Sequence, residues 1–497
     1  MKQLIFLFLS IFSFSYVFSQ GQADNWYFGD YVGLKFNSDG SVSVLTDSQM
    51  KVSEGCSTIS DCNGSLLFYT DGENVWNKNH QIMVNGTGLF GRDTSTQAAT
   101  IIKKPGSSHI YYIFTTSIQT SMGSSRYSEV DMSLQGGEGE VTNKNVLLFN
   151  RTTEKLAIAK HSNGIDFWAI TYNADTKYFH AYLINSDGVS NSPVLSYYPN
   201  VDWSGSMKVS PDGKKLAVCN FSKSALLFDF DNINGYVSSD PQALTNEDEF
   251  PYGVEFSPNS KVLYVSCYTK TYQFNLNVPN IKNSAINITS GVGSNIGALQ
   301  LGPNGKIYCA TRGTSKIGVI NKPNILGMGC DFNREGIDLN GGICQTGLPS
   351  FCPSYIIPSL TIQNLCLGSV TQFFINTDLD TSSILWDFGD GTTSSNPNPT
   401  HYYTNAGNYT ITVSGVASGD LCPLSKTITI SAAPLVSEIN EISFCGEAGV
   451  NYNLSQLDTT ILGSQSPTVY GVAYFSSLAD AASHTNNLPK NNHTLSV

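Results

Sequence analysis

The chain has 497 residues, room for two to four domains. Its 39 acidic and 27 basic side chains leave a formal charge of −12 and no Lys/Arg cluster, so neither nucleic acid nor an anionic lipid surface is an expected partner. Charged residues are only 13%, aromatics 11%, glycine is abundant and no long stretch has helical periodicity, which is the composition of an extracellular all-β protein.

Residues 1–19 read as a signal peptide: Lys2 supplies the charge, Leu4–Phe18 the apolar run, and Val17-Phe-Ser19 the small or β-branched positions before a cleavage that leaves Gln20 first. No later segment is apolar enough for a transmembrane helix, so the expected location is secreted or extracellular. Asp24 to Leu45 follows, with Asn25-Trp-Tyr-Phe-Gly29 and two strand-like runs around Asp39-Gly40.

From here one sentence recurs. Ser210-Pro-Asp-Gly-Lys-Lys-Leu-Ala-Val218 reads as a tight turn leading into a strand, and so do Ser257–Val265 and Gly302–Cys309, with looser copies at Asp61–Tyr69, Lys104–Phe114 and His161–Ile170. The turn residues Asn63, Gly106, Asn163, Asp212, Asn259 and Asn304 stand 43, 57, 49, 47 and 45 apart. A few residues before each lies a small side chain: Gly55, Ala98, Ala157, Gly205, Gly253 and Gly297. A strand–turn–strand unit at this period is the signature of a β-propeller, whose innermost strands crowd around a central channel and need small residues. Residues 20–352 are therefore expected to form a propeller of seven blades, or alternatively six. Asp24–Leu45 would complete the last blade, together with either Gly318–Asn321 or the run through Gly347–Phe351.

Residues 353–363 read as a linker. Then comes Trp386-Asp-Phe-Gly-Asp-Gly391, with Pro399-Thr-His-Tyr-Tyr403 and Tyr409-Thr-Ile-Thr-Val413. Trp386 and Phe388 alternate inward on a strand; Asp387 and Asp390 cap a turn in which Gly389 and Gly391 take unusual dihedrals. Residues 364–432 resemble the polycystic-kidney-disease (PKD) domain, which implies an immunoglobulin-like β-sandwich. Residues 434–497, with Phe444-Cys-Gly446 and Val472–Ala481, read as a partial Ig-like adhesin repeat that stops short. The fold class expected for the whole is all-β.

Taken together, Asn25–Gly29, Leu67-Phe-Tyr-Thr-Asp-Gly72, Val75-Trp76, Asn85–Leu89, Lys208–Gly213, Trp386–Gly391 and Tyr474–Ala481 resemble the large secreted proteins of Bacteroidetes. In that family a propeller precedes PKD and adhesin-like repeats, often with a type IX secretion, type B sorting domain of the gliding-motility-associated kind. The resemblance implies cell-surface attachment, with the C-terminal sorting domain expected to lie outside residues 1–497.

Candidate site residues follow from propeller geometry, which gathers the loops entering the inner strands at one channel mouth. Those loops carry Glu54, Gln97, Glu154, Trp203, Tyr252 and Asn295, aromatics beside carboxylates and amides, a combination that suits a sugar or a peptide. The function expected is adhesion or binding of an extracellular glycan or protein, without a cofactor; a carbohydrate-active enzyme and a purely structural spacer are the alternatives. A Gly-x-Ser-x-Gly elbow and Ser-x-Asp-x-Gly-x-x-Trp boxes are both absent, and the seven histidines are scattered. No Cys-x-x-Cys pair with a second pair or a His-x-x-His occurs, so a zinc site has no support. Cys56/Cys62 and Cys366/Cys422 are the disulfide candidates, two of Cys330, Cys344 and Cys352 a further possible bridge, while Cys445 has no evident partner. No metal is expected, Asp387 and Asp390 being only weak calcium candidates.

Overall fold

The computed structural model describes residues 6–11, 21–37, 39–117, 123–267, 270–289, 296–356, 359–376, 384–414, 424–432, 451–465, 470–483, 486–491 and 493–494. The leader cleavage region, Asn295, Cys422 and Cys445 lie outside them. Phe6–Ile11 is a strand paired antiparallel with Tyr470–Phe475.

Between residues 25 and 338 the chain folds into successive antiparallel meanders. Asn25–Phe28, Val32–Phe36 and Val42–Leu45 make the first. The later ones open on Ser57–Ser60, Ala99–Lys103, Thr152–Lys160, Met207–Val209, Pro251–Phe256 and Ile296–Leu301. One parallel bridge, Glu140 to Val84, joins the outer edges of the second and third. The recurring turn of the sequence reappears in each: the residue at its tip is left-handed at Gly64, Gly106, Gly164, Gly213 and Gly305, and at Ser260, the one non-glycine. Side chains hold the tips, as where Ser257 Oγ accepts from Val262 N at 2.9 Å.

The opening strands stand side by side, and their starts are laced together. Gly55 N donates to Ser95 O, Glu154 N to Trp203 O, Ser206 N to Tyr252 O and Ala298 N to Thr346 O. The small residues sit where the strands crowd. A Cβ on Gly253 would lie 2.3 Å from Gly297 O, one on Gly297 2.2 Å from Thr346 O, and one on Gly55 2.1 Å from Ala98 N.

The ring is closed from both ends of the segment. Residues 343–351 run beside the inner strands: Ile343 bridges Asp30, Pro349 pairs parallel with Cys56, and Thr346 N donates to Ser53 O. This stretch thus runs between the starts of Ile296–Leu301 and Ser57–Ser60, next to the residue that follows the first meander's opening strand. Trp26 seals the joint, with ring centroids 5.3 Å from Tyr308 and 5.8 Å from Phe351. Of the two closing runs expected, Lys316–Ile320 instead belongs to the last meander as its third strand. Pro353–Tyr355, expected to begin a linker, is a packed turn: Tyr355 Oη accepts from Lys103 N at 2.9 Å, and Tyr355 and Ile356 are buried. The arrangement is all-β and propeller-like.

The disulfide expectations need correction. Cys56 is a buried free thiol whose Sγ donates to Tyr27 O; Cys62 is disulfide-bonded elsewhere. The strand Ser57–Ser60 separates the two by about 13 Å of extended chain, whereas a bridge needs Cα atoms within roughly 7 Å. Cys330, Cys344 and Cys352 are likewise buried free thiols, as are Cys219 and Cys309, and Cys366 is free as well.

Further along, Ser359–Gln363, Thr371–Asn376 and Thr400–His401 form one sheet, and Thr393–Ser394, Leu385–Asp387, Gly407–Ser414 and Leu424–Ile430 another. Trp386 and Phe388 are buried with Phe373, Tyr403 and Ile411, while Leu385 and Asp387 are exposed, the alternation the sequence predicts. Asp387 Oδ1 accepts from Gly389 N, and Asp390 Oδ1 from Thr392 N. Asp390 Oδ2 faces His401 Nε2 at 2.7 Å. Both aspartates are thus engaged in the turn, and no group of three metal-ligating side chains gathers among the described residues. In the last segment Tyr470–Phe475 is a strand but Asp458–Leu462 and Leu478–Ser483 are short helices, so the expected Ig-like pattern there gives way to a mixed unit around Ile461 and Tyr474.

Candidate functional site

Every opening strand starts at the same end of the ring, so the loops before them meet there. Three of the residues expected at this mouth come together. Glu54 precedes Ser57–Ser60, Glu154 lies on Thr152–Lys160 and Tyr252 on Pro251–Phe256, and their charges act on one another. Glu154 is buried and well held: Oε2 accepts from Thr96 N at 3.1 Å and from Thr96 Oγ1 at 2.5 Å. Glu54 is different. The Tyr252 hydroxyl is the hydrogen-bonding side chain that faces its carboxylate, and the charges of Glu154, Arg312 and Asp93 act on it as well. Burial and the neighbouring Glu154 charge push its pKa up to about 7. The Tyr252 hydroxyl oxygen is sealed from solvent, with Thr96 and Glu54 beside it but neither within close hydrogen-bond distance. Burial first, then the Glu54 charge, hold its pKa well above the usual tyrosine value.

The other expected residues have different parts. Gln97 is buried and structural, with Nε2 donating to Met207 O at 3.0 Å and Oε1 accepting from Met207 N at 2.8 Å, a tie across neighbouring strands. Trp203 is 38% exposed at the rim, with the Arg151 guanidinium 5.8 Å from its ring centroid. Phe221 and Phe250 continue the rim, their rings 5.7 Å apart and tilted 47°, and Phe221 meets Tyr252 edge-on at 6.5 Å. Phe250 holds φ 51°, an uncommon conformation for a bulky side chain, at the end of the turn Glu247–Glu249, where Glu249 reaches back to Asn246 N.

Phe221 and Arg312 escape a reading that follows only the loops into the inner strands. Each sits just past a second strand, Lys215–Val218 or Ile307–Thr311, which returns antiparallel to the same mouth. Lys155 escapes too, since a lysine in a strand reads as solvated. It is wholly buried, and its Nζ donates to Ser204 O, Gly205 O and Cys219 O at 2.8, 2.9 and 2.7 Å. Burial lowers its pKa to about 8.

Comparison with known proteins identifies one part of the chain. Residues 360–430 match the PKD domain family. The PKD match overlaps the span 364–432 expected from the Trp386–Gly391 motif. The chain matches no curated protein. Among solved structures, it is similar to a functionally unknown protein from Desulfotomaculum acetoxidans at 12% identity, over 69% of this chain and 100% of that one, with a TM-score of 0.39. It is also similar to a Bacteroides uniformis protein provisionally named 6-phosphogluconolactonase (16%, 71% and 93%, TM-score 0.37). A third is a catalytically inactive virginiamycin B lyase from Staphylococcus aureus (12%, 76% and 97%, TM-score 0.35). Likenesses this distant carry no functional weight. Among the described residues no helix is long and apolar enough to cross a membrane.

Glu54 makes a testable contribution to stability. Its folded pKa of about 7 stands above the ordinary 4.5, so the folded state holds the proton longer than the unfolded state, and stability falls as pH rises between those values. Glu54→Gln removes the buried charge. The variant is expected to be about 2–3 kcal/mol more stable than the parent at pH 8 and about equal to it at pH 4, read from urea unfolding at the two pH values.

Proposed function

We propose that this protein is a secreted or cell-surface binding protein. A seven-bladed propeller presents a ligand site at its channel mouth, and the PKD domain, an Ig-like sandwich, acts as spacer and interaction module. The observation that carries the reading is the convergence of Glu54, Glu154 and Tyr252 inside an exposed aromatic rim. Aromatic faces stack on apolar ligand surfaces while carboxylates and hydroxyls fix polar groups, the usual division of labour in a binding site. Seven blades are supported by six inner strands plus the stretch 343–351, which runs between the starts of Ile296–Leu301 and Ser57–Ser60. Export is supported by the leader-like residues 1–19 and by the PKD domain, a module typical of extracellular proteins. Kinship with the Bacteroidetes secreted proteins fits this organisation, and the partner would be an extracellular glycan or protein.

The test is binding of the full-length protein to glycan and peptide arrays, with and without calcium. A specific ligand is expected, and replacing Trp203 and Tyr252 together by alanine should weaken it at least 100-fold. Unchanged binding in that variant would remove the channel-mouth site. Hydrolysis or elimination of an array glycan, lost in Glu54→Gln, would replace the binding reading with an enzymatic one. A folded protein that binds nothing would leave the spacer role.

A further inference from the structure

Resting on the binding reading above, we propose that the mouth takes a cationic side chain, the ammonium or guanidinium of a lysine or arginine on a peptide ligand. Glu54 would be its counter-ion, and Trp203, Phe221 and Phe250 the walls around its alkyl stem.

Three independent features point this way. The first is unfilled acceptor capacity. The Glu54 carboxylate lies half-buried beside Glu154 with one hydroxyl, that of Tyr252, facing it, and the repulsion from Glu154 outweighs the attraction of the exposed Arg312. A carboxylate in that position has about four lone-pair sites to offer, and an arriving cation would relieve the like-charge pair. The second is the Tyr252 hydroxyl, buried beside Glu54 and Thr96 but with neither within close hydrogen-bond distance, so that the bond to water lost on folding is only weakly replaced. The third is the shape of the rim. Its rings stand at 47° and 90° to one another and give no single flat face on which a sugar ring would lie; walls at such angles enclose a cation instead. Trp203 already accepts the Arg151 guanidinium against its face, so the rim's chemistry toward a guanidinium is present in the fold itself. Phe221 and Phe250 are 40% and 43% exposed, and Phe250 has φ 51°, a backbone conformation that costs energy for a bulky residue.

The test uses full-length protein and four probes. Three are fluorescent pentapeptides identical except for a central lysine, arginine or N-acetyl-lysine, and the fourth is a labelled tetramer of glucosamine. At pH 8 the lysine and arginine peptides are expected to bind at least 10-fold tighter than the acetylated one. Glu54→Gln should erase that preference. Lowering the pH from 8 to 6 should erase it in the parent protein as well, because Glu54 takes up a proton there while Glu154, Asp93, Arg312 and Tyr252 surround it. Equal binding of lysine and acetyl-lysine peptides, or indifference to Glu54→Gln, overturns the inference. Binding of the glucosamine tetramer without the peptides overturns the peptide class. If an array ligand is lost on replacing Trp203 and Tyr252 but ignores Glu54→Gln, the mouth remains a site and only the cation is wrong. If no ligand responds to either change, both readings fall together.

Discussion

Gly347→Ala is expected to unfold or open the ring, with a loss of about 4 kcal/mol or more in urea unfolding. Gly347 lies in the middle of the inner stretch supplied by the C-terminal side of the propeller-like unit, and its φ is not left-handed, so the demand on it is purely for space. A Cβ there would stand 1.8 Å from Glu54 O, 2.2 Å from Glu54 C and 2.7 Å from Glu54 Cα. All three are backbone atoms of a segment tied by the hydrogen bond from Glu54 N to Asp93 O, so none can step aside as a side chain would. Costs above about 4 kcal/mol are exceptional for one substitution and mark a strained or overpacked position. Gly88→Ala is the contrasting case. Gly88 has φ 70° and open space around its Cα, so only conformational strain is incurred, about 1 kcal/mol. Equal losses for the two variants would mean that the inner strands are not crowded at the closure.

Lys155→Ala is expected to cost about 3–5 kcal/mol, and Lys155→Met about 1–2 kcal/mol less than that. The Nζ gathers three carbonyls, Ser204 O, Gly205 O and Cys219 O, from the neighbouring meander, and no solvent reaches the group. Alanine leaves those carbonyls without a donor and adds a void; methionine refills the volume of the stem but supplies no donor. Thermal unfolding of the three proteins measures the two parts separately. A methionine variant as stable as the parent would show that the carbonyls find other partners and that Lys155 only fills space.

How much of this could be read from the sequence depends on whether the cause is local. The turn at Asp212-Gly213 and its copies are set by residues a few positions apart, and each appears with a left-handed tip. The small residues Gly55, Gly253 and Gly297 could be placed because their period says where crowding must occur. The Trp386/Phe388 alternation is equally local. What escaped is set by strand direction and by distant partners. Cys56 and Cys62 are close in sequence but at opposite ends of an extended strand. Phe221 and Arg312 reach the mouth only because second strands run back toward it. Glu54 and Glu154 were both named from their loops, yet nothing in either loop says that Thr96 would bind one firmly and leave the other to the Tyr252 hydroxyl.

The closure by residues 343–351 also dictates an order of events in time. The sheet built on Trp26 is made early by the ribosome, but its inner neighbour is synthesised about 300 residues later. Until Pro349 can lie beside Cys56 and Phe351 against Trp26, the unit is an open arc whose first and last meanders each present an uncovered apolar face. Contacts this far apart in sequence slow folding, because the loop must close before any of them forms. Folding should therefore show a late, concerted phase in which the Trp26 environment changes last, and a nascent chain cut before residue 343 should stay in the open arc.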